Sequence, residues 1–545
     1  MTNEYMEEMA GRGSVQLPYP LRHITTEVIG DFTLPDYQPE IKKLLRIGVN
    51  LLPPDTGRSG EDLMGSVNYY VLYVGQDGGV YCAPLSTEYR LESPAEGGMT
   101  GMPAAMGEPT LHLCDLSSDV PVGRVVSPRR LHIRCKIKAR VRAYGECPLG
   151  PWEGDDRDPT VETLTAETAV GRLYQAVGEP LTLEDDIILS PNEEEMRVIC
   201  AEGQILMTEA LPTTGMINCR GEITVKITLC PADTVGDLLA EFSSDKAPPR
   251  QTPPLTILQR KIPFTQSIAV AGVTSTCAAT ACGYCSDMTV QMDEGHLHLE
   301  VGVLTEARAQ QNETVTYVAD LYSTRQESAC RYAAYPAEVA LRAFNGNFTL
   351  SDSLPLTEAS IDPSSRVVDV TATATPEELS CDPTKGRCLL TGKCRFHLLL
   401  QTNGEYNTAE VELPFRYEFD QAPSSKASHD PSTVSLSSFN GSTTVVNCRA
   451  RMDGERVGFD AELAVSLRTH APVPFTALTD MSLGEEITRR RGEYAICFPA
   501  PTDTVWSVAK RYHAPIATLT AANNLPAGVK IGGKDSLEGV KYLIV

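Results

Sequence analysis

Gly65-Ser-Val-Asn-Tyr-Tyr-Val-Leu-Tyr-Val74, Gly221-Glu-Ile-Thr-Val-Lys-Ile-Thr-Leu229 and Gly392-Lys-Cys-Arg-Phe-His-Leu-Leu-Leu400 decide the fold. Each is a glycine followed by a period-two alternation, the pattern of a strand with one buried and one wet face. Their neighbours recur in the same order. Upstream stands an entry motif, Gly30-Asp-Phe-Thr-Leu-Pro-Asp-Tyr-Gln-Pro-Glu-Ile-Lys-Lys-Leu-Leu-Arg-Ile47. It returns as Asp185-Asp-Ile-Ile-Leu-Ser-Pro-Asn192 and as Gly346-Asn-Phe-Thr-Leu-Ser351, which leads into Arg366-Val-Val-Asp-Val370. Phe32, Ile187 and Phe348 are read as equivalent, and so are Leu34, Leu189 and Leu350. Downstream come short proline-apolar pieces, Pro84-Leu85, Pro263-Phe264 and Pro414-Phe415. Each repeat closes on an alternating strand that starts at Leu131, Leu297 or Val457.

This is a long internal repeat. The expected class is mainly β: three tandem antiparallel sandwich- or barrel-like units, followed by a small βααβ domain. The reading places an N-terminal segment at 1–25, units at 26–160, 181–325 and 326–480, and the last domain at 490–545. Helical spacing over Glu162–Val177 predicts a helical connector at 161–180. Ser93–Pro109 and Ala422–Gly441 read as long loops.

The last segment changes period. Tyr494, Ile496 and Phe498 alternate as a strand. Asp503 and Thr504 are capping residues before Val505, and Val505, Trp506, Ala509 and Tyr512 form an apolar helical stripe. Ile516, Leu519 and Ala522 give a second short helix behind Pro515. Asn523 and Asn524 suit a turn, and Val540, Tyr542 and Ile544 return as a strand.

The 545 residues carry a net charge of -24, which excludes nucleic acid or an anionic membrane surface as the expected partner. No apolar run reaches transmembrane length, and Met1–Ala10 has no leader character. Sixteen cysteines, most of them inside apolar alternation, read as free thiols. Cys277, Cys282 and Cys285 with His296 and His298 are the nearest approach to a metal set, and they read as strand and turn; no metal and no cofactor is expected. Acidic runs such as Glu184-Asp185-Asp186 and Glu193-Glu194-Glu195 read as solvated faces, and His132, His296 and His298 as wet-face strand residues. No nucleophile elbow, zinc-protease helix or phosphate loop occurs, so no catalytic residue is assigned and the chain is not expected to be an enzyme.

Residues 494–525 resemble a LysM module, and the repeats resemble the SPOCS domains of Firmicutes sporulation proteins. The entry motif at Gly30 and Tyr322-Ser-Thr-Arg-Gln-Glu327 are the most specific pieces. Three such units followed by one LysM resemble the SipL-like family of spore-envelope morphogenetic proteins. That resemblance implies a non-enzymatic scaffold in the mother-cell cytoplasm, assembling on the forespore surface, with the ATPase of the coat basement layer as partner. Lys510, Arg511 and His513, on the far side of the first helix from the apolar stripe or just beyond it, are the candidate partner-binding residues. The alternative is recognition of peptidoglycan or an N-acetylglucosamine polymer, in the cortex or cell wall. The groove would then be Thr502, Asp503, Thr504, Asn523, Asn524 and Leu525. Thr502 stands where LysM domains usually carry glycine.

Overall fold

A computed structural model of the chain describes residues 14–545 except 55–62, 92–108, 150–159, 191–192, 194–195, 233–253, 294, 383–386, 421–439, 489–494, 526–536 and 538–539. Both expected long loops lie almost wholly outside the described residues, as does Tyr494. The protein is mainly β. Among the described residues no helix is long and apolar enough to cross a membrane.

The first unit comprises β1 (Ser14–Pro18), β2 (Arg22–Thr33), β3 (Ile41–Leu52), β4 (Leu63–Gly75), β5 (Val80–Leu91), β6 (Thr110–Ser118), β7 (Val122–Ser127) and β8 (Arg130–Pro148). The second comprises β9 (Val161–Val177), β10 (Leu181–Ile188), β11 (Met196–Thr213), β12 (Met216–Pro231), β13 (Thr256–Ala269), β14 (Ala278–Asp293) and β15 (His296–Ser323). The third comprises β16 (Gln326–Tyr335), β17 (Glu338–Pro355), β18 (Arg366–Asp382), β19 (Arg387–Thr402), β20 (Glu405–Asp420), β21 (Asn440–Asp453), β22 (Arg456–Pro472) and β23 (Phe475–Glu486).

All sheets are antiparallel, and every unit uses one plan. Three consecutive strands form a meander: β3-β4-β5, β11-β12-β13 or β18-β19-β20. The facing sheet is centred on the closing strand, flanked by the unit's opening strand and the strands just before it: β2 and β6/β7 on β8, β10 and β14 on β15, β17 and β21 on β22. The alternating residues of both sheets meet in one core per unit, for example Val67, Tyr69 and Val71 against Ile133, Cys135 and Ile137. The closing strand runs on past its sandwich. There it pairs with a strand that precedes the opening one: β1 on β8 and β9 on β15. In the third unit Pro472-Val473-Pro474 interrupts the closing strand, which resumes as β23 and pairs with β16.

Three expectations need correction. Residues 161–177 are not a helical connector. They are β9, whose backbone is satisfied by the far half of β15 from Glu306 to Ser323. Its helix-like spacing is overridden by the partner strand. The N-terminal segment likewise contains β1 and the start of β2. Register was the third. Thr33, Ile188 and Pro355 occupy the same place opposite Arg130, His296 and Arg456. Leu356, 3% exposed, therefore corresponds to Leu34 and Leu189, and Phe348 and Leu350 lie one half-strand too early. A slip of six residues keeps every side chain on its face, so a period-two pattern cannot detect it.

The leading glycines have a shared physical cause. Gly65, Gly221 and Gly392 stand opposite Tyr89, Phe264 and Phe415 on the next strand. A Cβ at any of them would fall on that ring. The aromatic covers the bare backbone, which is how a sheet tolerates glycine in a central strand. Phe264 and Phe415 belong to the recurring proline-apolar pieces, whereas Tyr89 lies outside the Pro84-Leu85 piece of the first unit.

The same alignment exposes the junction of the units. Seven residues beyond each glycine lie Leu72, Thr228 and Leu399, paired with Arg46, Cys200 and Asp369. All three partners directly follow a register shift, at Leu44/Arg46, Val198/Cys200 and Val367/Asp369. The bulges re-aim equivalent side chains toward one line. There Arg46 bridges Glu202 and Asp369, both at 2.8 Å, and Lys226 bridges Asp369 as well. Cations and anions from three units thus close a ring of contacts. Leu45 and Leu399, next to Arg46 in sequence and opposite Asp369 in the ladder, share one apolar cluster with Val74, Cys230, Leu255 and Tyr406. Burial works against charge at Arg46, but Glu202 and Asp369 outweigh it and hold its guanidinium above its ordinary pKa. Burial would raise the Asp369 carboxyl; Lys226 and Arg46 hold it below its usual range instead.

Asp369→Asn should cost about 3–5 kcal/mol at neutral pH, because Arg46 and Lys226 stay buried without their counter-charge. A carboxyl depressed in the fold contributes stability above its unfolded pKa of about 3.9, and that contribution fades as pH falls through the lower folded value. Urea titrations at stepped pH should therefore show the gap between wild type and variant narrowing below about pH 4. A gap that widens on acidification would refute the assignment.

Candidate functional site

The C-terminal module contains β24 (Ile496–Cys497), α1 (Val505–Arg511), α2 (Ile516–Ala522) and β25 (Leu543–Ile544). Thr504 caps α1: its hydroxyl accepts from Ser507 N–H at 3.1 Å, and the Ser507 hydroxyl accepts from Thr504 N–H at 2.9 Å. This reciprocal pair lets seven residues hold a helix that is too short to persist alone. Cys497, Val508, Ala509, Leu519, Leu537 and Leu543 form its centre.

That centre does not end at the module. It continues into Leu164 of β9 and Tyr322 of β15. The Trp506 ring lies edge-on to Tyr322, with centroids 5.1 Å apart. Trp506 Nε1 donates to Asp320 Oδ2 at 2.8 Å, and Tyr322 Oη donates to the Ala514 carbonyl at 2.7 Å. Ile516 N–H donates to Glu162 at 3.1 Å, which satisfies one of the first amides of α2. The module is seated on the far end of the β9–β15 ribbon. The segment Tyr322–Glu327, read above as a specific family feature, is the floor of that seat.

This placement corrects the expected partner-binding residues. Lys510 does not face solvent freely: its ammonium meets Asp320 Oδ1 at 2.5 Å. His513, at φ +50°, donates from Nδ1 to the Ser323 carbonyl at 2.9 Å. Arg511 is exposed, but it is paired with Asp503 at 2.6 Å inside the module. Burial pushes the Asp320 carboxyl up, yet hydrogen bonds from Lys510, Trp506 and Tyr332 prevail and hold it below its ordinary pKa. Spacing along a helix shows which residues share a face. It cannot show that a face is already covered by a strand some 190 residues upstream.

The expected groove residues divide. Asp503 is buried; its carboxylate accepts from Ala500 N–H at 2.9 Å and binds Arg511. Asn523 ties α2 to β25, donating to the Leu519 and Ile544 carbonyls and accepting from Ile544 N–H. Thr504 is spent on the cap. Thr502 and Asn524, the latter at φ +53°, are exposed, and Leu525 is half-buried.

The strongest surface feature lies elsewhere. Ile496 pairs with Ile544, and both are open to solvent, as are Phe498 and Tyr542 just beyond the paired residues. These four are 62%, 39%, 76% and 56% exposed, while the alternating Cys497 and Leu543 point inward. Large apolar side chains left open to solvent mark an interaction surface. Alternation had revealed the strand residues, but not which side would remain open.

A concavity of about 840 Å³ opens beside the junction of the three units, lined in part by β3, β11, β18 and β21. Arg46, Glu202, Lys226, Asp369 and His397 reach it. His397 Nε2 is buried without a hydrogen-bond partner, and burial lowers that ring's pKa. Along β14 and β15, Cys285 pairs with Val303 while His298 pairs with Gln291, so the residues once weighed as a metal set are spread along the ladder. Among the described residues no group of three metal-type side chains converges. Among the described residues Cys388 is disulfide-bonded, contrary to the expectation of free thiols. Comparison with family models, curated proteins and solved structures finds no match.

Asp320→Ala removes one acceptor from Trp506, Lys510 and Tyr332 together. It should weaken the seating of the module by about 1–3 kcal/mol. With Trp152 replaced by Phe to isolate the signal, Trp506 emission should shift to the red. Unchanged emission and unchanged unfolding would show that the seat does not depend on this carboxylate.

Proposed function

We propose that the chain is a non-enzymatic scaffold of the bacterial spore coat, a SipL-like morphogenetic protein with three SPOCS units and one LysM module. It assembles on the forespore surface from the mother-cell side. Its LysM module docks a protein partner, the ATPase of the coat basement layer. The observation that carries this reading is the division of the module's surface. One side is committed in cis to β9 and β15, while Ile496, Phe498, Tyr542 and Ile544 are open to solvent. Exposed aromatic and aliphatic side chains of this kind suit a protein interface, whose energy concentrates in a few such residues. The docking surface is therefore moved from Lys510, Arg511 and His513 to these side chains.

Glycan recognition is weakened, because Asp503, Thr504 and Asn523 of the expected groove are engaged in the module's own hydrogen bonds. Two sets of changes separate the readings. Ile496→Ser with Phe498→Ser should leave the fold intact and cut capture of the basement ATPase at least tenfold, the loss of one hot spot. Thr502→Glu with Asn524→Glu should leave that capture unchanged. If the sheet variant retains its partner while the loop variant stops pelleting with peptidoglycan, the glycan reading replaces the scaffold reading.

A further inference from the structure

The outer face of the first unit's closing strand is basic. Along β8, Arg130, His132, Arg134 and Lys136 alternate with the buried Leu131, Ile133 and Cys135, so these four side chains stand on the solvent side of the sheet. The flanking strands add Ile29 of β2 and Val122 of β7, both opposite Arg134, and Arg124 of β7, opposite His132. Ile29 and Val122 are 56% and 68% exposed. Two carboxylates share the face: Glu27 binds Arg134 at 2.7 Å, and Asp31 binds His132 at 2.8 Å. Arg124, Arg130 and Lys136 have no ion-pair partner among the described residues.

The second unit carries the opposite sign on the equivalent face. Arg130 and His296 hold the same place in their units, so Arg134 corresponds to Glu300, and its neighbour Ile29 corresponds to Glu184 of β10. Glu184, Asp186, Asp293 and Glu300 are exposed there, and Ile188 among them is 78% exposed. Strands β10 and β14 and residues 296–303 of β15 contain no Lys or Arg. The hydrogen bond with Asp186, backed by the Glu184 and Glu300 carboxylates, holds His298 above its ordinary pKa. The imbalance extends to whole units. Residues 14–148 carry 14 Lys and Arg against 15 Asp and Glu, and residues 161–323 carry 9 against 23, so the negative charge of the chain sits largely outside the first unit.

We propose that the β2–β8–β7 face of one copy docks on the β10–β15–β14 face of a second copy of this chain. Charge complementarity chooses the occupant. One face offers Arg124, Arg130 and Lys136 without counter-charges, and the other offers Glu184, Asp293 and Glu300 without cations among the described residues. Both faces are built on one strand plan and twist with the same hand, and Ile29, Val122 and Ile188 supply apolar contact between the charges. The contact joins two different patches. Copies therefore add head to tail, into a ring or an open chain, rather than closing as a twofold pair. Each face is only three strands wide, which makes a single contact small, weak and sensitive to salt. Neither face includes the C-terminal module, so self-association is separate from whatever protein that module docks.

Sedimentation velocity of the full chain over a range of concentrations tests this. At low salt, species larger than the monomer should grow with concentration. At about 1 M sodium chloride, where the Debye length falls to about 3 Å, they should revert to monomer. Association through Ile496, Phe498, Tyr542 and Ile544 would instead persist in salt. Arg134→Glu with Lys136→Glu, and separately Glu184→Lys with Glu300→Lys, should each raise the concentration for half-association about tenfold or more. All four positions are exposed, and circular dichroism checks that the variants fold. Mixed in equal amounts, the two variants should associate again, because every acidic face then finds a basic one. The wild-type salt series stands without the variants. Wild type that stays monomeric at low salt, association that survives high salt, variants that associate as wild type does, or folded variants that fail to complement one another would overturn the proposal.

Discussion

Arg46, Glu202, Lys226 and Asp369 hold three separately folded sandwiches in one arrangement. Each sandwich has its own core. What that core alone does not supply is a fixed orientation. The ion cluster supplies that, because a buried guanidinium with carboxylates at 2.8 Å from two different units leaves no room for sliding. Such a cluster adds little net stability compared with apolar packing; its cost of disruption is what selects one geometry. A hydrophobic junction alone would admit several rotations of nearly equal energy.

A second meeting place reinforces the first. Val15, Leu17 and Cys147 of the first unit, Val170 of the second, and Tyr335, Phe475 and Ala477 of the third share one cluster. The ribbons that run past the sandwiches therefore pack together as well. Gln16 clamps both polar atoms of Leu173, and Asn312 clamps both of Ala340, so the same amide device ties two different pairs of units. Arg142 adds an ion pair to Glu338 at 2.6 Å. With two separated contacts, each unit loses its remaining rotational freedom about the first.

The sequence made the sheets legible and left their joints hidden. Gly65, Gly221 and Gly392 stood out because a glycine before an alternating run is visible in one dimension. The rings that cover them lie on the next strand, and no local pattern pairs Tyr89, Phe264 or Phe415 with those glycines. Period two protected the faces while concealing the six-residue slip near Phe348. Arg46 and Asp369 both lie inside the quoted repeats, in Leu-Leu-Arg-Ile and Val-Val-Asp-Val. A charge at one position of an apolar run, opposite in sign between repeats, was the signal for the junction. Strand β9 was hidden because nothing local records a partner on β15. The seat of the module was hidden for the same reason, although its floor had been noted as an unusual stretch.

Among the described residues, only the second unit's ribbon carries a domain at its end. Units built on one plan, gathered about a common line, would otherwise present repeated corners that an outside protein could not tell apart. Tyr322 and Asp320 break that equality by seating the module at a single corner. A partner that grips the module therefore fixes rotation as well as position. The body thus has one marked vertex, and a contact made there would leave no ambiguity about which way it points.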